Sequence, residues 1–343
     1  MSRPVLLVLA LAAVLAPSAA AASGWGKKPT PAAAQKSDDE RKKRIDEGDH
    51  FLASARKEAQ QAGMIVRGTP ATDQLAHRAL AAYERALAIL PDPDVYYRAF
   101  TATQYLSDAS LERWRLVVRY FDGLRASAPR DPRETFMLPE LCTALSKLGG
   151  AGGADADAYF TRGVAEYDTF RQRIDDTDPR FAEPLSTYST NAAELLMALG
   201  PDRLDEAITY YETGIQYGPY EALGYYGAAV AYDRDGQWGK AQELMRQALE
   251  RDGKGRPDAD KRGVHSMGRL SDPNVYFVPE GDIEYYFALG YHVQGYRQEA
   301  LRHYKRFLAE VPDTRFAARA REHITELETE LGMVKPGPRK GQP

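Results

Sequence analysis

The chain has 343 residues, with 45 Lys and Arg set against 49 Asp and Glu and a formal net charge of −4. That slightly acidic balance argues against nucleic acid as a partner, because a polyphosphate surface selects for a basic one. The only cysteine is Cys142, so no intramolecular disulfide can form.

The chain begins with Arg3, an apolar stretch Val5–Leu15 and a small-residue run Ala16–Ala22, which together read as a secretory signal over residues 1–22. Cleavage after Ala20 or Ala22 fits the small-residue rule. The apolar stretch is too short for a permanent membrane span, and no second one follows it. No cysteine comes directly after it to carry a lipid anchor. The mature chain is therefore expected to be exported and soluble, and the Ala-rich signal points to a bacterial periplasm. Loss of Arg3 with the signal leaves 44 basic against 49 acidic residues, a net charge of −5. Residues 23–37 are mostly Ala, Pro, Lys and Gly and read as a flexible linker, with Trp25 their only large apolar side chain.

Beyond the linker one phrase recurs: a small residue, a large one four places on, a usually small one three further, then a proline. It reads Ala79-Tyr83-Ala86-Pro91, Ala207-Tyr211-Gly214-Pro219 and Ala300-Tyr304-Phe307-Pro312. Val117-Phe121-Leu124-Pro129 and Ala241-Met245-Ala248-Gly253 are looser copies, and Gly163-Tyr167-Phe170 is a degenerate one. Steps of four and three place these residues on one helix face, and the proline ends the helix. In chain order the spacing predicts six helical hairpins. Unit 1 pairs helices near Asp39–Gly63 and Thr72–Leu90. Units 2 to 4 follow at Asp94–Ala128, Pro132–Ile174 and Pro184–Tyr217, then unit 5 at Glu221–Arg251 and unit 6 at Asp282–Glu310. Irregular spacing is absorbed by loops at Gly149–Asp157 and Asp175–Pro184 and by a polar insertion over 253–280. A last amphipathic helix, Thr314–Leu331 within a capping segment 313–332, carries Phe316, Ala320, Ile324, Leu327 and Leu331 on one face. Residues 333–343 read as a disordered tail. No segment alternates as a strand would.

From Ala222 to Gly253 the residues Tyr225, Ala228, Ala229, Tyr232, Gly236, Trp238, Ala241, Met245 and Ala248 fall in the order and spacing of a tetratricopeptide (TPR) repeat. Ala207 lies 34 residues before Ala241, the TPR period. This stretch resembles that family, with Gly253 standing where its closing proline would be. The resemblance implies an all-α fold, an α-solenoid over residues 38–312 most regular at 184–253 and 281–312, closed by the C-terminal helix. In such a hairpin Ala229 and Ala241 would let the two helices approach, Tyr225 and Tyr232 would wedge between hairpins, and Gly236 would make the turn.

Catalytic patterns were sought along the same chain. Gly263-Val-His265-Ser266-Met-Gly268 resembles a nucleophile elbow, but Val264 stands where the first glycine belongs and no strand precedes it. The six histidines have no zinc spacing, although His292 and His303 fall on the two helices of unit 6. The acids at Asp155, Asp157 and Asp175–Asp178 lack the EF-hand pattern. Gly149–Gly153 follows a helix and so is no phosphate cradle. Cys142, beside Leu141 and Leu145, reads as a buried small apolar residue. No enzyme, cofactor or metal is expected.

What the TPR resemblance implies instead is a protein or peptide partner held on the concave face by the first helix of each hairpin. Carried onto units 5 and 6, the inner-face positions are Leu223, Tyr226, Val230, Asp233 and Arg234, then Asp282, Tyr285, Leu289, His292 and Val293. Of these, Leu223, Tyr226, Val230, Arg234, Tyr285, Leu289 and His292 are expected to form the partner groove. TPR domains that grip a C-terminal carboxylate place a Lys and an Asn four residues apart on these helices. Here those places hold Tyr226 and Val230, and Tyr285 and Leu289, which suit a more apolar peptide or helix. The expected function is a non-enzymatic exported adaptor or scaffold in the assembly or support of a cell-envelope complex. The alternatives are a self-associating structural subunit of an envelope machine, forming a homo-oligomer, and an enzyme with its site in the 253–281 insertion.

Overall fold

The computed structural model describes residues 31–61, 68–107, 110–174, 176–253, 267–270, 278 and 281–333. The signal peptide, Trp25, His265, Ser266, most of the insertion and nearly all of the tail lie outside the described residues.

Among the described residues the chain forms thirteen α-helices and no strand. They pair as α1 Pro31–Gln61 with α2 Pro70–Ile89, α3 Pro93–Thr103 with α4 Leu111–Ser127, and α5 Glu134–Gly150 with α6 Ala156–Arg173. Then follow α7 Ala182–Leu199 with α8 Leu204–Tyr217, α9 Ala222–Arg234 with α10 Trp238–Gly253, and α11 Ile283–Val293 with α12 Arg297–Glu310. The final α13 spans Ala317–Glu330. The six expected hairpins and the terminal helix are thus all present. One boundary differs: α1 begins at Pro31, so the second half of the expected linker is helical.

Local chemistry explains where the helices start and stop. Thr69 Oγ1 accepts from the Thr72 amide at 3.2 Å ahead of Pro70, and Asp92 Oδ1 accepts from the Asp94 amide at 2.7 Å ahead of Pro93. Helices α2, α8 and α12 each stop two residues before Pro91, Pro219 and Pro312. Gly236 and Gly295 turn the chain inside units 5 and 6 at φ +80° and +84°. Each lets the next amide reach back to close a Schellman turn, Gln237 to the Tyr232 carbonyl and Tyr296 to the Tyr291 carbonyl, at 2.8 and 2.9 Å.

The recurring phrase is the buried seam of the stack. Ala79, Tyr83, Ala86, Ala207, Tyr211, Ala241, Met245, Ala248, Ala300, Tyr304 and Phe307 are all fully buried. Most successive helices pack broadly on one another, whereas α10 and α11 touch little where the long insertion separates them. Helix α11 also touches α9, which in turn packs on α7. From the insertion, Met267, Leu270 and Val278 are buried in the same core, so its described parts are apolar anchors and not only a polar loop.

Second helices are also tied to one another across hairpins. Arg119 and the Tyr120 hydroxyl of α4 donate to Glu84 of α2 at 2.8 and 3.0 Å, Arg162 of α6 donates to Asp122 of α4 at 3.1 Å, and Tyr210 of α8 donates to Asp168 of α6. Isolated surface pairs of this sort stabilise little. Repeated at the same place in successive units, they fix the register of one hairpin on the next. The chain is an all-α solenoid of TPR-like hairpins.

Candidate functional site

Helices α7, α9 and α11 are the first helices of units 4, 5 and 6, and two fully buried carboxylates mark where they converge. Glu194 of α7 accepts from the Tyr286 hydroxyl of α11, at 2.7 Å from each oxygen, and from the Tyr211 hydroxyl of α8. Gly227 of α9 makes room for this arrangement, since a Cβ there would collide with the Tyr211 ring. Burial pushes the Glu194 pKa up to about 8 against the opposing pull of the two tyrosine bonds and Arg234.

Asp233, near the C-terminus of α9, is the second carboxylate. It accepts from the Tyr285 hydroxyl of α11 at 2.6 Å and from Arg319 of α13 at 2.7 Å, and His323 Nε2 of α13 lies 2.8 Å from it. Burial alone would raise its pKa. The bonds from His323, Arg319 and Tyr285 outweigh that and hold it below the ordinary 3.8. The neighbouring Arg234 has a fully buried side chain. It pairs with Asp282 at 3.2 Å and lies 4.2 Å over the Phe316 ring and 4.8 Å over the Tyr285 ring.

Helix α13 therefore does more than cover α12. Arg315, just ahead of it, donates to the Leu199 carbonyl at the end of α7 and to Asp157 at the start of α6, at 2.8 Å for the latter. Phe316, Arg319 and His323 then lie across the end of α9. Cations are thus set against the negative ends of α7 and α9, where the helix dipoles favour them. His323 stacks on Tyr304 at 4.8 Å and meets Trp238 at 5.3 Å. A cavity of about 230 Å³ remains beside Arg315, lined by Gly152, Asp157, Phe160, Met197, Asp282 and Phe316 among others.

The expected groove residues divide between two places. Tyr226, Val230 and Leu289 are fully buried, and the Tyr226 hydroxyl donates to Asp252 at 3.0 Å. Arg234 and Tyr285 are also buried, beneath α13, while Leu223 and His292 are half-buried. His292 sits 4.8 Å from Trp238 and 5.3 Å from His323, so the histidine it meets is that of α13 and not His303 of its own hairpin. Burial, aided by His323, pushes its pKa down to about 4, and it is neutral at ordinary pH. The expectation that Tyr226 and Tyr285 project into an open groove is corrected: both point into packed protein. The cause is that α9 is apolar on every side and packed between α7 and α11, as an all-round apolar helix must be. Conversely Tyr232, expected to wedge between hairpins, is only half-buried.

Sequence reasoning missed Glu194, Arg319 and His323, and reached Asp233 only as an inner-face position of the repeat, without its partners. Glu194 had a visible signal, a lone acid within Ala192-Ala-Glu-Leu-Leu-Met197. The partners of Asp233 had none, because its donors lie 52 and 90 residues away. Cys142 is buried as expected, and burial raises its thiol pKa. Among the described residues no group of three or more His, Cys, Asp and Glu could hold a metal ion, and no helix is long and apolar enough to cross a membrane.

No family model matches the chain, and no curated protein matches it. Among solved structures it is similar to residues 1–338 of Acl4, an assembly chaperone of RpL4, at 15% identity and TM-score 0.44, covering 83% of this chain and 99% of that one. The TPR2AB domain of yeast Sti1, solved in a complex with pHSP90, is similar at 14% identity and TM-score 0.23, covering 87% and 99%. The C-terminal part of a TPR repeat-containing protein from Cytophaga hutchinsonii is similar at 14% identity and TM-score 0.25, covering 71% and 94%.

Proposed function

We propose that this chain is a non-enzymatic, exported TPR-like scaffold that binds a protein or peptide partner on the inner side of its hairpin stack, in assembly or support of a cell-envelope complex. One observation carries the reading: the inner ends of units 4 and 5 receive a helical segment, α13, through an aromatic, an arginine and a histidine set on Arg234 and Asp233. A surface built to hold one helix in this way has the chemistry of a recognition site, with a buried charge that demands a partner and apolar contacts around it. The buried carboxylates fit this role better than catalysis, since tyrosine hydroxyls and α13 engage them away from solvent.

The test is site-specific photo-crosslinking in the native envelope. A photoreactive residue at Leu223, on the expected inner face, should capture a discrete protein, and the same residue at the exposed Arg246 of α10 should not. Equal capture at both positions would contradict the reading. Capture of a second copy of this chain would replace it with self-association.

A further inference from the structure

We propose that the surface formed by the C-terminal ends of α7 and α9 together with α12 is an exchangeable docking site for an amphipathic helix whose first half presents an aromatic and cationic anchors, occupied in this chain by its own α13. The inference rests on the reading that the chain binds protein segments, and adds what segment the site accepts and what guards it.

The anchors of α13 lie on one helix face at successive steps of three and four: Phe316, Arg319 and His323. Phe316 packs under the Arg234 guanidinium, Arg319 and His323 share Asp233, and Arg315 meets the α7 carbonyl end. The opposite face of α13 carries Arg321, Glu322, Thr325 and Glu326, all exposed, so among the described residues nothing packs over it. The buried apolar side chains on its inner face are Phe316, Ala317, Ala320 and Leu327, with Ile324 and Leu331 partly buried beside them. The hold thus joins a narrow apolar face to ion pairs with Asp233 and Asp157, on the last described helix, which can leave without dismantling a hairpin.

What it would leave behind defines the ligand. Asp233 would keep only the Tyr285 hydroxyl among its present side-chain donors, and any segment that covers it again without a cation would leave a buried carboxylate undercompensated, which is strongly unfavourable. The site therefore selects a replacement with the same pattern: an aromatic, an arginine three residues on, and a histidine or second cation four further. An apolar helix without the cation would fill the space and leave Asp233 unpaired, which is how the site discriminates.

The test uses the full chain with a protease recognition sequence placed between the exposed Pro312 and Asp313, cleaved after folding. The cut protein should keep its melting transition with the C-terminal segment still bound. An excess of labelled peptide spanning 313–333 should then exchange into it. The same peptide with Arg319→Ala should bind about thirtyfold more weakly or worse, and with Arg321→Ala as well as the parent. Absence of exchange, or equal binding by the Arg319→Ala peptide, would overturn the proposal. A second arm covers a cut protein that unfolds: in the uncut chain, Asp233→Asn should speed amide exchange of α13 while α7 and α8 stay protected. Uniform loss of protection would make α13 a structural cap and overturn the proposal as well. Peptide exchange without any partner crosslink at Leu223 would overturn the functional reading alone, and a crosslink without exchange would overturn this inference alone.

Discussion

Glu194 and Asp233 are both buried carboxylates, yet they couple to pH with opposite signs. Glu194 carries a folded pKa near 8 against an ordinary 4.5, so the folded chain keeps a proton that the unfolded chain gives up between those values. Its contribution is complete below 4.5 and is lost as the pH rises through 8. Glu194→Gln should therefore flatten the fall in melting temperature between pH 6 and pH 9, measured by calorimetry. The same fall in both proteins would place the Glu194 proton elsewhere. Asp233 is depressed, so its contribution is complete above 3.8 and is lost only as the pH falls below it. Tyr285 joins Asp233 to the core with its ring against Tyr304 and Phe307, at 5.3 and 5.2 Å. Tyr285→Ala should cost about 3–5 kcal/mol by denaturant unfolding. A groove tyrosine exposed to solvent would cost almost nothing, so this one number separates the buried position from the expected one.

Elements differ in how much of them the sequence made legible. The ends of α2, α8 and α12 followed from the recurring phrase, because small residues at a helix crossing and a terminal proline have local causes. Ala241 at the α9–α10 crossing is fully buried, and Ala241→Leu should overpack it by about 1–3 kcal/mol, read as a lowered urea midpoint. An unchanged midpoint would mean the two helices do not meet there. The faces of α9 were not legible in the same way. Carrying a repeat pattern onto Tyr226 and Val230 assumes an open inner side, and whether that side is open depends on the neighbouring helices α7 and α11, not on the hairpin itself. The apolar residues all around Ala222–Ala231 were the local warning. For α13 the apolar face was readable, since Phe316, Ala320 and Leu327 are buried. Its polar anchors were not, because Arg319 and His323 have meaning only opposite Asp233.

At the scale of the whole molecule, stacking makes stability a sum of neighbouring interfaces, and the weakest junction is α10 on α11, where the insertion enters. The strap from Arg315 to Asp157 joins the C-terminal end to unit 3 across that junction. The expectation of export belongs to this scale too. Native protein should be released by osmotic shock without detergent and should begin near Ser23, by N-terminal sequencing. A retained Met1–Arg3 would refute it. The claim on which the rest depends is that the chain's own C-terminal helix lies across the inner ends of units 4 and 5. A photoreactive residue at position 315 of the intact purified chain tests it most directly, with the intramolecular crosslinks mapped by mass spectrometry. The account predicts crosslinks to the start of α6 or the end of α7, and crosslinks to α12 alone would contradict it.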